Sequence, residues 1–457
     1  MNFDTLNDDL LALADTGLKY AKSKGADQAE IYVSSAHNIN INNQSGMIEA
    51  KDGLNEGVGV RIAMGKRLGF AAMSGLTEES VKHAVSEALS VAKSVKQENI
   101  GFETFATKTK LGRDGILDPK VVEMSTEEIV AKANLIYKEA KEFDKRVISP
   151  SAQVQSFYGG HAVVNSEGVA GASRNTVFVI VTFTTAADGE KRKSAFDFKV
   201  TREVPEFEGI GKSAAEKAVK LLASKPIEHT GVLPTLWNQN VMSGFWQASL
   251  AQSIDGRQVV EKNSYFMDKL GDKVGIDALS ITDDGQLPEG LNTTAIDDEG
   301  SSRQSTPIIE KGVLRSFLYD HYYGTLGKVK STGNAARGQG YESTPNIGPT
   351  TVVISPGTKS FDDMVSSIDK GIYVMDSVMG MGHSNLISGD FSVVATSAYL
   401  IEKGEISHPI EPITIAGNLY KSFQDIQAIG SDSKLLQTIK TPSMLFDGFT
   451  IVSQNKK

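Results

Sequence analysis

The stretch Val177-Phe-Val-Ile-Val-Thr-Phe183 is apolar at nearly every position, and it gives the clearest strand signal in the chain. Alternation with a period of two extends over residues 152–200, which predicts several strands in this region. Because both faces of the stretch are apolar, we expect this strand to be buried on both sides.

Helical patterns surround these strands. The predicted helices begin after Asp4, Thr77 and Ser125, and a further one covers Phe207–Ala223. Ser125 and Glu128 have the spacing of a capping box, and Gly25 lies where a left-handed residue would end the first helix. Pro226 closes the helical region. The pattern predicts an α+β domain over residues 1–225, with helices packed on a mostly antiparallel sheet.

The second half has a different pattern. One helix is predicted over Leu236–Ser253, and another begins at Ser360 with Asp363 in its cap and ends at Gly371. Short apolar runs between glycines fill most of the remainder. Ile309–Gly312 and Ile401–Gly404 are near copies that we expect to form three-residue hairpins with a bulge. Residues 226–457 are therefore predicted to form a glycine-rich, curled, barrel-like β domain with a few helices.

Composition excludes several classes of function. The formal charge of -9 argues against nucleic acid as a partner, because phosphate binding needs a basic surface. The acidic N-terminus does not resemble a secretory signal, and no run reaches the roughly 18 apolar residues of a membrane helix. With no cysteine there are no disulfides and no thiolate chemistry. We expect a cytoplasmic protein that does not enter a membrane.

Two sequence motifs resemble catalytic loops but have the wrong spacing. In Gly209-Ile-Gly-Lys-Ser213, the first glycine of a phosphate-binding loop would fall at Glu206, so a helix start is the better interpretation. In Gly382-His-Ser-Asn-Leu386, Leu386 replaces the second glycine of a nucleophile elbow. The patterns therefore predict neither a nucleotide site nor a serine nucleophile.

Clustered carboxylates and histidines could still bind a metal. Asp283-Asp-Gly285 and Asp297-Asp-Glu-Gly300 have the composition of a cation site or an acid–base pair, although turns account for such runs more simply. The seven histidines are scattered. No His is followed by Glu, and no two have the spacing of a zinc helix.

Specific segments of the chain resemble the TldD/PmbA family, on the side of the PmbA (TldE) subunits, historically called modulators of DNA gyrase. The resemblance covers essentially the whole chain. In the first half it is carried by Gly25-Ala26, Ala29-Glu30 and Gly57-Val-Gly-Val-Arg61. In the second half it is carried by Ser331–Asn334, Gly371–Val374, Met379–Gly382, Ile387–Phe391, Glu402–Ile406 and Ile413–Leu419, with Leu270-Gly271 and Asp297–Gly300.

The resemblance implies a missing metal site. In TldD subunits an H-E-x-x-x-H helix holds zinc and the catalytic glutamate, and a further ligand lies near the C-terminus. The corresponding positions here are Gln247, Ala248 and Gln252, and Thr441–Phe446 offers no His or Cys. An amide is a poor zinc ligand and a methyl group cannot take a proton from water. The chain is thus expected to be inactive alone and to bind no metal.

The resemblance also implies partners. The chain would pair with a zinc-bearing TldD-type subunit, and the heterodimer would enclose a chamber in which unfolded peptides are cleaved. Homodimers are also possible. Extended peptides bind along backbone edges, so the glycine-rich segment is the predicted substrate contact. Its candidate residues are Gly380, Gly382, His383, Ser384 and Gly389.

Two alternatives remain open from the sequence. One is a hydrolase or metallopeptidase that acts alone through a site assembled from distant residues such as Asp297, His321 and His383. The other is a protein-binding modulator of a gyrase or toxin system. Metal analysis of the purified chain separates the first alternative from the inactive subunit.

Overall fold

The computed structural model describes residues 3–376 and 378–453, and one antiparallel sheet organises its first half. The strands are β1 (Gln28–Gln44), β2 (Met47–Met64), β3 (Arg67–Ser74), β4 (Val147–Asn165), β5 (Ala170–Asp188) and β6 (Lys191–Thr201). They lie in the order β3-β2-β1-β4-β5-β6. Every neighbouring pair runs antiparallel, as the sequence predicts.

The helices of this half begin close to the predicted caps. They are α1 (Leu6–Ser23), α2 (Glu78–Ser94), α3 (Pro119–Glu123), α4 (Thr126–Phe143) and α5 (Ile210–Leu221). Thr77 and Ser125 form the predicted caps, and the Ser125 box with Glu128 is complete. The first cap is Thr5 and not Asp4, because the Asp9 N–H donates to the Thr5 carbonyl. Helix α5 begins three residues later than predicted, after Gly209 in a left-handed conformation.

The helices pack on a single face of the sheet. Phe178 and Ile180 of β5 are fully buried beneath α4, whereas Val179 and Val181 are half-buried and Phe183 is 55% exposed. The prediction that this strand is buried on both sides is wrong, because the second half of the chain covers only one end of the other face. We call the uncovered part the open face. It consists of Asn38, Asn40, Asn42, Gln153, Gln155, Val177, Val179, Val181, Phe183, Phe196 and Phe198.

The second half contains short strands. They are β7 (Thr230–Val232), β8 (Thr235–Trp237), β9 (Ile281–Asp284), β10 (Ser305–Glu310), β11 (Val313–Leu314), β12 (Ala335–Ala336), β13 (Asn346–Ile347), β14 (Val352–Ile354), β15 (Lys370–Val374), β16 (Val378–Met379), β17 (Asp390–Ala395), β18 (Ala398–Glu402), β19 (Glu405–Ile410), β20 (Ile413–Asn418), β21 (Ile426–Ile429), β22 (Lys434–Leu436), β23 (Ile439–Thr441), β24 (Met444–Phe446) and β25 (Thr450–Ser453).

These strands form open sheets. The orders are β11-β10-β9-β14-β23-β22, β19-β18-β15-β8-β24-β21, β16-β17-β20-β25-β7 and the pair β12-β13. Within the described ranges each sheet ends in two unjoined strands, so none closes into a barrel and the barrel-like prediction is wrong. A closed barrel needs continuous staggered pairing around the whole ring. The protein is a mixed α+β structure with several sheets.

The α-helices described in this half are α6 (Gln239–Leu250), α7 (Gly256–Val260), α8 (His321–Gly327) and α9 (Phe361–Ser366). The helix predicted from Leu236 begins at Gln239, because Trp237 lies in β8 and pairs with β15 and β24. The box of Ser360 with Asp363 is confirmed, but α9 ends before the predicted Gly371.

The two matching hairpins have tighter turns than predicted. Glu310 pairs directly with Val313 and Glu402 pairs with Glu405, which leaves loops of two residues. Both loop residues have positive φ: 49° at Lys311 and 76° at Gly312, with almost the same values in the other copy. Positive φ at both positions is typical of a type I′ turn. These hairpins therefore have two-residue loops and not the predicted three-residue loops with a bulge.

An aromatic core joins the sheets of the second half. Trp237, Phe245, Trp246, Phe446 and Phe449 are all buried, and the ring centroids of Trp237 and Phe449 lie 5.1 Å apart. Such clusters combine large buried apolar area with favourable ring geometry. Across residues 3–376 and 378–453, no helix combines the length and apolar character needed to cross a lipid bilayer.

Contacts cross the predicted boundary at residue 225. The Lys225 N–H donates to the Pro409 carbonyl, and Glu411 accepts hydrogen bonds from Lys193 and Ser224. The first half is therefore bonded to the end of β19 and to Glu411, which follows it. Division into domains of residues 1–225 and 226–457 stays a prediction.

Candidate functional site

Helix α6 and the turn after it contain the three positions that the sequence resemblance predicts to correspond to the metal motif of the catalytic subunits. Asn238 begins the helix by accepting a hydrogen bond from the Val241 N–H at 3.2 Å. Gln247 is exposed and Ala248 half-buried on the last turn, and Gln252 is half-buried in the turn that follows. Residues five apart do not lie on one face of a regular helix, and α6 ends at Leu250, before Gln252. We call Gln247, Ala248 and Gln252 the motif positions.

Two further predicted segments pack against this helix. The short 3₁₀ turn Met381–His383 contacts α6, and Ala248 and Leu386 both pack on the same aromatic core. On another side the Trp246 indole N–H donates to Thr441 Oγ1 at 3.1 Å. The structure thus brings α6 together with two segments that are far from it in sequence.

The glycine-rich segment at residues 380–389 is held by its own hydrogen bonds. The Ser384 hydroxyl donates to the Met381 carbonyl at 2.7 Å, and Asn385 Oδ1 accepts from the N–H groups of Ile387 and Ser388. Ser384 therefore has the bonding of a turn residue and not of an activated nucleophile. The hydroxyl of Tyr420 donates to the Leu386 carbonyl and fixes the end of the segment.

The glycines and the histidine of this segment differ in their surroundings. Gly380 has a φ of 99° and Gly389 a φ of 86°, and a Cβ on Gly389 would lie 2.5 Å from the Tyr420 ring. A Cβ on Gly382 would meet nothing within 4 Å, and His383 is exposed. Gly380 and Gly389 are thus required by the backbone. Substrate contact by residues 380, 382, 383, 384 and 389 stays a prediction.

The donor set around α6 does not fit a zinc ion. Zinc in a peptidase needs three protein ligands drawn from His, Cys and carboxylates. The motif positions offer two amides and a methyl group. In the parts of the chain that the structure describes, no group of three or more His, Asp or Glu side chains could hold a metal.

The residues considered for a catalytic site assembled from distant parts of the chain, Asp297, His321 and His383, lie in different environments. Asp297 is buried, and its carboxylate accepts hydrogen bonds from the N–H groups of Glu299, Ser301 and Ala335. This is the turn chemistry that the sequence favours. His321 begins α8 next to Glu299, whereas His383 is exposed in its 3₁₀ turn. Asp297 therefore has a structural role in the acidic turn.

The most strongly charged buried site was missed from the sequence. Four side chains join the first sheet to the second half, and we call them the junction cluster: Glu30, Arg61, Glu299 and Arg337. Arg61 donates to Glu30 at 2.8 and 2.6 Å and to Glu299 at 2.9 Å. Arg337 donates to Glu30 at 2.8 Å across 307 residues of sequence.

Close backbone approach makes this junction possible. A Cβ on Gly59 would lie 2.4 Å from the Tyr341 carbonyl oxygen, and one on Gly57 would collide with the Tyr341 ring. The signal that could have revealed the site is a charge within an apolar alternation, as in Ala29-Glu30-Ile31 and Val60-Arg61-Ile62. Charges at such positions are buried only when they are paired.

Buried carboxylates near the cluster have shifted pKa values. Burial raises the pKa of Asp297 to about 7, and the charge of nearby Glu299 adds to this effect. Burial and Glu299 likewise raise the pKa of Asp320 to about 7. Burial lowers the pKa of His161, which lies 3.5 Å from Asp298. Ionisable groups therefore concentrate between the two halves and not around α6.

Comparison with known proteins assigns the fold to a class of metallopeptidases. The chain matches the models of PmbA/TldA metallopeptidase domain 1 over residues 29–92, of the central domain over 119–222 and of the C-terminal domain over 230–453. These ranges include the junction cluster and the motif positions. The chain belongs to the PmbA/TldD metallopeptidase family.

Individual relatives point to its PmbA (TldE) branch. A metalloprotease PmbA homolog of Haemophilus influenzae is 27% identical over 436 residues, which is 94% of this chain and 93% of that protein. The crystal structure of TldE from Thermococcus kodakarensis has a TM-score of 0.88 at 25% identity, covering 96% and 99% of the two chains. A candidate modulator of a DNA gyrase from Thermotoga maritima gives 0.87 at 26% identity, with the same coverage.

Proposed function

We propose that this chain is the non-catalytic subunit of a heterodimeric zinc metalloprotease whose TldD-type partner supplies the metal and the catalytic glutamate. The observation that carries the proposal is the neutral chemistry of the motif positions on α6. Two amides and a methyl group provide neither the ligands nor the general base of a zinc peptidase. The described residues hold no alternative metal cluster.

The open face supports a role as part of a chamber wall. Half of it is apolar and aromatic: Phe183 and Phe196 are cross-strand neighbours with ring centroids 5.8 Å apart, and Phe198 follows on the same face. The other half bears amides from β1 and β4. Exposed apolar patches of this kind mark interaction surfaces, and amides can bond to any peptide backbone. Lys51 and Glu49 of β2 lie beside Asn40 and Asn42 at its border and pair with each other. The residues of the open face itself are uncharged, which suits unfolded peptides of varied sequence.

The edge strand β16 supports a second contact with the substrate. It lies at the end of its sheet, and Met379 within it is 63% exposed. The strand leads directly into the glycine-rich segment beside α6. An extended peptide can add to a free strand edge through backbone hydrogen bonds, which need no particular side chains. This chain would then hold the peptide while its partner cleaves it.

The decisive experiment mixes this chain with the TldD-type subunit of the same organism. We expect a complex of one copy of each, cleavage of an unfolded peptide by the mixture, and loss of cleavage when a chelator removes zinc. This chain alone should show no cleavage and no stoichiometric metal. Chelator-sensitive cleavage by this chain alone, or failure of the two chains to associate, would overturn the proposal.

A matched pair of variants tests the open face. Phe183→Asp places a charge on the face, whereas Ile100→Asp places one on a residue that is 81% exposed outside it. We expect Phe183→Asp to lower kcat/KM of the mixture about tenfold, the effect of losing one well-packed aromatic contact. Ile100→Asp should leave it unchanged. Equal effects of the two substitutions would exclude the open face from the substrate path.

The alternatives have weaker support. Action as a lone hydrolase would require Ser384 or Asp297, and both are bonded to backbone groups. A role as a gyrase modulator follows from the descriptions of relatives such as the Thermotoga maritima protein, and no contact in the structure adds to it. With a net charge of -9, such a role would need a protein partner instead of DNA.

A further inference from the structure

A cavity of about 380 Å³ lies between the first sheet and helix α8. Its walls include the rings of Phe102, Phe105, Tyr322 and Tyr323, and the Phe102 and Phe105 centroids are 5.1 Å apart. The volume suits one ring-bearing small molecule or one residue of a peptide. We call this space the aromatic cavity. It is lined by neither the motif positions nor residues 380–389.

A buried carboxylate in the wall of the cavity lacks a cation. Asp320 is 3% exposed, and its Oδ1 accepts a hydrogen bond from the Tyr323 N–H at 2.7 Å. Glu299, which lines the same cavity, is paired with Arg61, but Asp320 has no ion-pair partner in residues 3–376 or 378–453. A buried carboxylate without a cation is costly in its charged form.

The charged side chains that line the cavity also indicate an excess of negative charge. Two carboxylates, Glu299 and Asp320, line the cavity with one guanidinium group, that of Arg61, which is paired with Glu299. The lining therefore has one more negative than positive side chain. Burial, with the repulsion of Glu299, raises the pKa of Asp320 to about 7. The site therefore favours a positively charged ligand over an anion.

Two more polar atoms beside the cavity have unmet bonding capacity. Thr104 Oγ1 and His321 Nε2 are buried, and within the described part of the chain neither has a hydrogen-bond partner. Both residues line the aromatic cavity. A buried polar atom without a partner costs about 1–3 kcal/mol, so groups of this kind mark places where a ligand can supply the missing bond.

We infer that the aromatic cavity binds a primary ammonium group carried on an aromatic or aliphatic body. An ammonium group offers three donors and a positive charge, which match the carboxylate of Asp320 and the unpartnered atoms near it. The guanidinium groups of Arg61 and Arg257 already lie over the rings of Phe105 and Tyr323. The Phe102 and Tyr322 rings remain to contact a cation and the apolar body of the ligand. Free amines and the N-terminal residue of a peptide share this chemistry. The inference concerns this chain alone and does not depend on a catalytic partner.

Binding of matched probes to the purified full chain tests the inference. In ¹⁹F NMR titrations, 2-(4-fluorophenyl)ethylamine should bind at least about tenfold more tightly than 2-(4-fluorophenyl)ethanol, which has the same ring without the charge. The amide of 4-fluorophenylalanyl-alanine, with a free or an acetylated N-terminus, distinguishes the sources. Preference for the free N-terminus assigns the site to peptides. Binding of the simple amine alone assigns it to small amines.

A variant pair locates the binding. Asp320→Asn keeps the side-chain oxygen that caps α8 but removes the charge, whereas Asp118→Asn changes a cap outside the cavity. We expect Asp320→Asn to reduce the preference for the amine to about twofold or less and Asp118→Asn to leave it intact. A preference that survives Asp320→Asn would overturn the inference. Equal binding of amine and alcohol by the unmodified chain would overturn it without any variant.

Discussion

The motif positions and the junction cluster are opposites. The motif positions are uncharged, lie within six consecutive residues and reach solvent at the end of α6. The junction cluster is fully ionic, is largely buried, and is assembled from residues up to 307 positions apart. Charge is thus absent from the motif positions and is concentrated where the two halves meet. The contrast teaches that a buried set of ionisable groups need not be catalytic: these satisfy one another and hold the chain together.

Removing a charge from the junction cluster should lower the free energy of unfolding by the largest amount. Glu30 is fully buried and accepts hydrogen bonds from Arg61 and Arg337, so Glu30→Gln leaves guanidinium charge without its counterion. We expect a loss of about 4 kcal/mol in the free energy of unfolding, measured by urea denaturation. As a control, Asp15→Asn removes an exposed pair with Lys19 and should cost less than about 0.5 kcal/mol. Similar losses for both variants would show that the cluster is not structural.

The close contact between Gly59 and the Tyr341 backbone should give the next largest change in the free energy of unfolding. Gly59→Ala would place Cβ 2.4 Å from the Tyr341 carbonyl oxygen, so backbone must move and the free energy of unfolding should fall by about 3 kcal/mol. Gly53→Ala on the same strand is the matched control, because a Cβ there meets nothing within 4 Å. Equal stabilities of the two variants in urea would contradict the tight packing.

The contribution of Asp320 to stability should depend on pH. The folded-state pKa of Asp320, about 7, lies above the value of about 3.9 in an unfolded chain. The folded protein therefore holds the extra proton between these values, and Asp320 weakens the fold as pH rises from about 4 to about 7. Asp320→Asn removes this cost. Its stability relative to the unmodified chain should rise by about 2 kcal/mol between pH 5 and pH 8. A constant difference in urea titrations at the two pH values would contradict the shifted pKa.

The smallest effect is expected at the motif positions. Gln247 is exposed, so Gln247→Ala should change the free energy of unfolding by less than about 0.5 kcal/mol. If the partner performs the chemistry, peptide cleavage by the mixed subunits should also stay within about twofold. A loss of cleavage beyond tenfold with unchanged stability would give Gln247 a role in the reaction.

Sequence reasoning succeeded where a feature depends on neighbouring residues. Thr77, Ser125 and Ser360 cap helices as predicted, because a cap involves only the next three residues. The prediction was wrong where pairing with strands far away in sequence determines the secondary structure. Trp237 has helical spacing relative to α6, yet pairing with β15 and β24 makes it part of a strand. Likewise, Val179 and Val181 are apolar, but nothing in their local sequence reveals that no helix covers their face.

The candidate site divides in the same way. The resemblance predicts the motif positions from sequence order and spacing, and that assignment stays a prediction. The sequence does not predict which residues pair with Glu30, although Glu30, Arg61 and the acidic turn at Asp297–Gly300 each lie in segments that carry the resemblance. Only the fold shows that these segments meet. The aromatic cavity is equally hidden, since its walls come from both halves of the chain.

The length of chain between the partners of the junction cluster also affects the order of events during synthesis. Arg61 and Glu299 are separated by 238 residues. At about 5–20 residues per second, Glu299 leaves the ribosome roughly 10–50 s after Arg61. The first sheet is complete only after β6 has been made, about 100 residues before Glu299. Until residues 299–337 arrive, the finished sheet holds Glu30 and Arg61 with only each other as partners, and chaperones and proteases can reach this surface.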